Sequence, residues 1–265
     1  MTTEPNDPKN ETKSAATPGE AKSKEKKKQQ TSFTFLSWNL CMLENSVAAP
    51  ASWRMDQTEN KIREFILELA PDFVFFQELP GLVPYVETHD LIPANNKSHC
   101  GNIATIVRKD LMDELVSKPI GGFGVLTMLE SAGLTFANVH LEPGRDGDFK
   151  RLEAANRIVQ ATQTPGLIIA GDTNTRVSEE KPLGEIGLIG SRPPKATWDS
   201  RRNRYRENGN EYTAYYTRYF HNEQVKIDKV KVWDEPVVED GKKFHLSDHY
   251  AMSGRATLVG DKKPV

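Results

Sequence analysis

The chain has 265 residues, a formal net charge of −2 and a sequence pI near 6.3. Only 37% of its residues are hydrophobic, no apolar run approaches the roughly 20 residues of a membrane-spanning helix, and the start lacks a secretory h-region. Two cysteines, Cys41 and Cys100, exclude a disulfide scaffold, and no Cys/His cluster has structural-zinc spacing. A soluble, monomeric, intracellular protein without a membrane partner is expected, in nucleus, cytoplasm or mitochondrion.

Residues 1–32 contain no Trp, Phe, Tyr, Ile, Leu or Val, and carry seven lysines against five acids. Such a segment cannot bury enough apolar surface to offset its ordering entropy, so 1–32 reads as a disordered Lys/Glu-rich tail. Its basic run from Lys22 to Lys28 reads as a solvated stretch, with a nuclear-localisation signal or a nucleic-acid-binding arm as alternatives. From 33 to 265 a single α/β domain is expected. The run from Phe33 to Trp38 is strand-like and ends in Asn39. Ile62, Phe65, Ile66 and Leu69 fall on one face of a helix that Pro71 stops. The buried-strand run from Phe73 to Phe76 ends in Gln77 and Glu78. Further strands are expected at 103–107, 134–139 and 167–170, with Phe149, Leu152, Ala155 and Val159 as the inner face of an intervening helix. The last third offers strands at 212–220, 225–233 and 249–258.

Polar residues stand where these apolar runs stop: Asn39, Glu78, His140, Asp172 with Asn174, Asp228, and Asp248 with His249. Strand ends of a layered α/β protein converge on one rim, where sites are built. Acids and amides with few histidines suit Mg²⁺ or Mn²⁺ better than zinc.

The segments Ser37-Trp38-Asn39, Phe76-Gln77-Glu78, Asn138-Val139-His140-Leu141, Gly171-Asp172-Thr173-Asn174, Ile227-Asp228-Lys229 and Ser247-Asp248-His249 resemble, in order and spacing, the motif series of the endonuclease/exonuclease/phosphatase superfamily. That resemblance implies a four-layer α/β sandwich, two packed mixed β-sheets flanked by helices, and metal-dependent cleavage of phosphoester bonds. It implies Glu78 as the principal metal ligand, with Asn39 beside it and Asp248 in or near the metal shell. Asp172, assisted by Asn174, would activate water, and His249 and Asn174 would stabilise the phosphoryl charge. Asp228 would accept a hydrogen bond from His249, and His140 would contact the phosphate from the other side.

Thr173, Arg176 and the segment Ala196-Thr197-Trp198-Asp199-Ser200 are similar to the tyrosyl-DNA phosphodiesterases that act on 5′-phosphotyrosyl ends. The expected substrate is then a single-stranded or frayed nucleic-acid end, DNA or RNA, with a linked tyrosine, peptide or protein as leaving group. Arg201, Arg202, Arg204 and Arg206 read either as a basic loop gripping that strand or as an exposed turn, and Trp198 as a stacking surface or as core. Tyr212 to Tyr219 read as a strand whose alternate residues pack inward. The alternatives are a nuclease of the apurinic-site or RNA-processing kind and, from another class, an inactive nucleic-acid-binding scaffold.

Overall fold

The computed structural model describes residues 30–41, 49–79, 84–92, 96–98, 101–202 and 211–259. The tail to residue 29, with its lysine run, and Arg204 and Arg206 lie outside these residues. In chain order the first elements are β1 (Ser32–Asn39), α1 (Met55–Leu69), β2 (Phe73–Leu79), β3 (His89–Leu91), β4 (Asn96–Ser98) and β5 (Gly101–Arg108). Then come β6 (Leu115–Ile120), β7 (Gly124–Leu129), β8 (Leu134–His140), α2 (Asp148–Ala161), β9 (Gly166–Asp172), α3 (Glu180–Glu185) and β10 (Ile189–Ser191). The last are β11 (Trp198–Asp199), β12 (Thr213–Ala214), β13 (Thr217–His221), β14 (Val225–Trp233), β15 (Val237–Glu239), β16 (Lys242–Phe244) and β17 (Ala251–Leu258).

Two mixed sheets pack face to face. One runs β14-β17-β1-β2-β5-β3, with β4 also on β5, and the other runs β10-β13-β9-β8-β7-β6. Alternation along each strand explains the layering, since successive side chains point to opposite faces. Phe33, Phe35, Phe73, Phe75 and Phe136 fill the space between the sheets. Their neighbours Leu36, Trp38, Val74 and Phe76 face Ile62 and Ile66 of α1 on one outer surface. Ala137, Val139 and Ile169 face Ala154, Ile158 and Leu183 of α2 and α3 on the other. Helix, sheet, sheet and helix make the four expected layers. No helix among the described residues is long and apolar enough to cross a membrane.

Each sheet holds one parallel pair, and each pair is joined by a helical crossover: β1-α1-β2 and β8-α2-β9. All the other pairs in the two sheets are antiparallel. Parallel strands end on the same rim, so the two crossovers deliver four strand termini to one side of the sandwich. Gly171, in the penultimate position of β9, has φ +148°, and a Cβ there would lie 2.1 Å from the Val139 carbonyl oxygen. Only glycine lets β9 approach β8 this closely just before Asp172.

Two expectations need correcting. Of the residues read as the inner face of α2, Ala155 is buried and Leu152 and Val159 pack partly buried against the core, but Phe149 is 73% exposed, and Arg151, Ala154 and Ile158 are buried beside them. A buried ion pair with Glu179 lets the charged Arg151 occupy an interior position on this helix. The stretch 212–220 is not one strand, but divides into β12, paired with β11, and β13, paired with β9. Strands β6 and β7 carried no expectation.

Candidate active site

Asn39 and Gln77 pair at the ends of β1 and β2, and His140 and Asp172 pair at the ends of β8 and β9. Glu78 follows Gln77 with φ +52°, where the β2–β5 register is interrupted between Phe76 and Leu79. Such an irregularity re-aims a side chain, and positive φ in a residue other than glycine is sustained only where its surroundings hold it. Beneath the rim, Gln77 Nε2 donates to Asn138 Oδ1 (2.7 Å) and Asn138 Nδ2 donates to Ala104 O (2.8 Å), a buried tie between the sheets.

The termini meet. Asn39 Nδ2 donates to Glu78 Oε1 (2.9 Å) and to Asp172 Oδ2 (2.8 Å). His140 Nε2 lies 3.4 Å from Glu78 Oε1 and 3.7 Å from Asp172 Oδ2. His249 Nε2 reaches the same Asp172 oxygen at 3.7 Å. Asp172 Oδ1 accepts the Asn174 backbone N–H (3.2 Å), and Asn174, at φ +50°, spends its amide on Leu141 O (3.0 Å). Ser247 Oγ donates to Asn39 O (2.8 Å) and accepts the His249 N–H (3.0 Å), tying the C-terminal segment to β1.

Donor atoms of Glu78, His140 and Asp172 all lie within 4.8 Å of one another. Two carboxylates and an imidazole suit a divalent cation. Burial pushes the Glu78 carboxyl up to about 7 from an ordinary 4.5, and Asp172 and Asp248 push it the same way against the Asn39 hydrogen bond. Negative charge crowded into a half-closed site favours a cation there.

This carboxyl yields a pH signature. Raised in the fold, it keeps a proton that the unfolded chain has lost between 4.5 and about 7. Under chelation, stability is therefore expected to fall as pH rises through that window. Saturating divalent cation, which requires the ionised carboxylate, should cancel the fall, and Glu78→Gln should flatten it in chelator. Melting temperatures read from pH 5 to 8 check this, and an unchanged slope in the variant would reject Glu78 as its source.

Several expected residues stand elsewhere than expected. Asn39 does not offer an oxygen to the site: its Oδ1 accepts the Cys41 N–H (2.8 Å), so its amide clamps the two carboxylates. Asp248 is buried beside the tight group rather than in it, with Oδ2 accepting the Trp198 indole N–H (2.7 Å). His140, expected against the phosphate, lies within the candidate ligand group. Asp228 does not touch His249. It pairs with Arg255 through two hydrogen bonds of 2.7 and 2.8 Å, because the β14–β17 register sets it opposite Arg255 while Trp233 stands opposite Ala251 at the rim. Its partner Arg255 lies four strand residues, about 13 Å, beyond Ala251, which is itself two residues past His249.

Arg176 hydrogen-bonds Gly144 O (2.5 Å). Trp198 is buried, with its ring 5.0 Å from Tyr212, 5.3 Å from Tyr216 and 6.5 Å from His249. Arg201 and Arg202 both approach Asp199, at 2.6 and 3.5 Å, and Arg202 also lies over the Tyr250 ring. Sequence reasoning missed Thr217, whose Oγ1 is 3.2 Å from His249 Nδ1. A threonine inside a strand carries no signal of its own.

A sequence model of the Endonuclease/Exonuclease/phosphatase family matches residues 36–249. No curated protein matches the sequence. Among solved structures the chain is similar to D. rerio TDP2 complexed with single strand DNA product, at 17% identity and a TM-score of 0.63, covering 86% of this chain and 100% of that one. It is similar to an endonuclease/exonuclease/phosphatase family protein from Bacteroides thetaiotaomicron (16% identity, TM-score 0.62, 89% and 98% coverage). It is also similar to the endonuclease domain of TRAS1, a telomere-specific non-LTR retrotransposon (18% identity, TM-score 0.56, 87% and 100% coverage). At such identities the likeness to solved structures carries the fold.

Proposed function

Because this chain belongs to the endonuclease/exonuclease/phosphatase family, we propose that it is a divalent-metal-dependent phosphodiesterase acting at a nucleic-acid end, where it releases a 5′-linked tyrosyl adduct. Members of the family hydrolyse phosphoester bonds. The observation that carries the reading is the convergence of Asn39, Glu78, His140, Asp172 and His249 on one point at the rim. For the choice of substrate, support comes from the exposed Tyr212 and its neighbour Tyr216, which lie over the buried Trp198 beside His249 and suit stacking on an unpaired base. The similar TDP2 structure holds single-stranded DNA.

Glu78, His140 and Asp172 would hold Mg²⁺ or Mn²⁺. A bound cation of this kind supplies Lewis-acid polarisation of the phosphoryl oxygens. Asp172 takes the proton of the attacking water, held in place by the Asn39 amide and the Asn174 N–H. His249 donates from Nε2 to a non-bridging oxygen as charge builds there. A tyrosyl phenol, with a pKa of about 10, leaves without a strong acid behind it. Arg201 and Arg202 share one carboxylate, so they bring less net charge to the strand than two free guanidinium groups.

The deciding experiment is a substrate panel of 5′-phosphotyrosyl single-stranded DNA, abasic duplex DNA, single-stranded RNA and an inositol phosphate, each with Mg²⁺ and with chelator. Metal-dependent release of tyrosine in preference to the other reactions is expected. Faster cleavage of abasic DNA or RNA would replace this reading with the nuclease, and binding without any hydrolysis would replace it with the scaffold.

A further inference from the structure

We infer that the cleft between α1 and residues 233–251 receives the polypeptide side of the substrate, and that it selects a bulky apolar residue and a basic residue close to the linked tyrosine. The inference rests on the tyrosyl reading given above and adds to it the chemistry of the leaving group. The cleft has a volume of about 490 Å³ and adjoins the site. His249, whose Nε2 is 3.7 Å from Asp172 Oδ2, is one of its lining residues. Trp38 is another, and its indole N–H donates to the His249 carbonyl (3.1 Å), so site and cleft share a wall. That wall is aromatic: Trp38, Phe65 and Trp233 succeed one another edge to face, with ring centroids 5.8 and 5.2 Å apart. Phe65 and Trp233 are only half-buried, so apolar surface meets water here.

The lining charge is mostly negative. Glu64, Glu68 and Glu235 stand there against one ammonium group, Lys61, which is itself bound to Glu64 (2.8 Å). Lys231 reaches Glu235 at 3.9 Å and lies over the Trp233 ring, 3.3 Å from its centroid, so this wall already holds a cationic side chain of the chain itself. Glu68 enters no ion pair among the described residues. An aromatic wall with carboxylates around it suits an apolar side chain with an ammonium or guanidinium group beside it. The same carboxylates repel a phosphate backbone, which leaves the strand the approach past Tyr212 and Tyr216. The lysine run of the N-terminal tail matches the carboxylates too. Residues 1–32, however, contain no Trp, Phe, Tyr, Ile, Leu or Val to lay on the aromatic wall, which favours a peptide over the tail.

The test uses the full chain with Mg²⁺ and three 5′-linked oligonucleotides of one sequence. The first carries tyrosine alone, the second Lys-Leu-Tyr-Leu-Lys and the third Glu-Ser-Tyr-Ser-Glu, each joined through the tyrosine. The basic, apolar peptide is expected to raise kcat/KM about tenfold over tyrosine alone, and the acidic one to give no gain. Glu68→Lys combined with Glu235→Lys, both exposed positions, should remove most of that preference and leave the rate on tyrosine alone unchanged. Equal rates on the two peptides in wild type, or an undiminished preference in the variant, would overturn the inference. Binding of free Lys-Leu-Tyr-Leu-Lys is read separately, without metal or oligonucleotide, from the ¹⁵N–H shifts of the four indoles. Trp38 and Trp233 should move, while Trp53 and Trp198, which do not line the cleft, should not. Those shifts without turnover of any tyrosyl substrate would overturn the reading of function and leave the cleft a peptide site. Turnover of the tyrosyl substrate without those shifts would overturn the inference alone. The same shifts from a peptide of residues 20–29, or from raised protein concentration, and not from Lys-Leu-Tyr-Leu-Lys, would give the cleft to the tail or to a second copy and likewise overturn it.

Discussion

Asp172→Asn is expected to leave a folded protein whose kcat is lower by about 10²–10⁴-fold at nearly constant KM, the range lost with general-base assistance. Asp172 is in contact with four other described residues of the site. It accepts from Asn39 and Asn174 and faces both His140 and His249. The asparagine keeps the shape, but it cannot take a proton and brings one charge fewer to a cation. Turnover of a 5′-phosphotyrosyl oligonucleotide at saturating Mg²⁺ measures the first effect, and a Mg²⁺ titration the second. A variant with intact kcat and only a raised KM would move Asp172 from the reaction to substrate binding.

The largest effect on stability is expected at Arg151. Its guanidinium is bidentate to Glu179 (2.8 and 2.7 Å) and donates to Glu142 O (2.7 Å) and Gly144 O (3.0 Å). It joins α2 to the loop that follows His140 and to the turn before α3. Arg151→Ala leaves the Glu179 carboxylate buried without its cation, and breaking a buried pair from one side costs about 3–5 kcal/mol. Replacing both partners, as in Arg151→Met with Glu179→Leu, should cost clearly less, because no orphaned charge remains. Urea unfolding of the single and double variants checks the order. A single variant within about 1 kcal/mol of wild type would show that water reaches Glu179 and the pair is not closed.

The site residues that the sequence makes visible share one physical property: each is polar at the exact stop of a buried apolar run. Asn39, Glu78, His140 and Asp172 end strands so uniformly buried that a polar terminus needs a reason. Order along the chain then supplies the family. What stays hidden depends on register and on pairing across the fold. Ile227-Asp228-Lys229 has the composition of a motif, yet the pairing of β14 with β17 carries Asp228 away from the rim. Thr217 reaches His249 only because β13 aligns it with Asp172, and nothing in its neighbours announces that. Arg151 is invisible for a related reason, since a helical arginine ordinarily faces water and Glu179 lies 28 residues away. Phe149 misleads in the complementary direction: it continues the apolar spacing of Leu152, Ala155 and Val159 into the first turn of α2, where it is exposed.

The two parallel pairs divide the site between the sheets, Asn39 and Glu78 on one and His140 and Asp172 on the other. Neither half can bind a cation or activate water unless the phenylalanine layer between them is closed. Hydrolysis is then a gauge of sheet-to-sheet docking. A swollen state that keeps every strand and helix but loosens that layer should be silent, and activity should vanish on heating or in mild denaturant before secondary structure does.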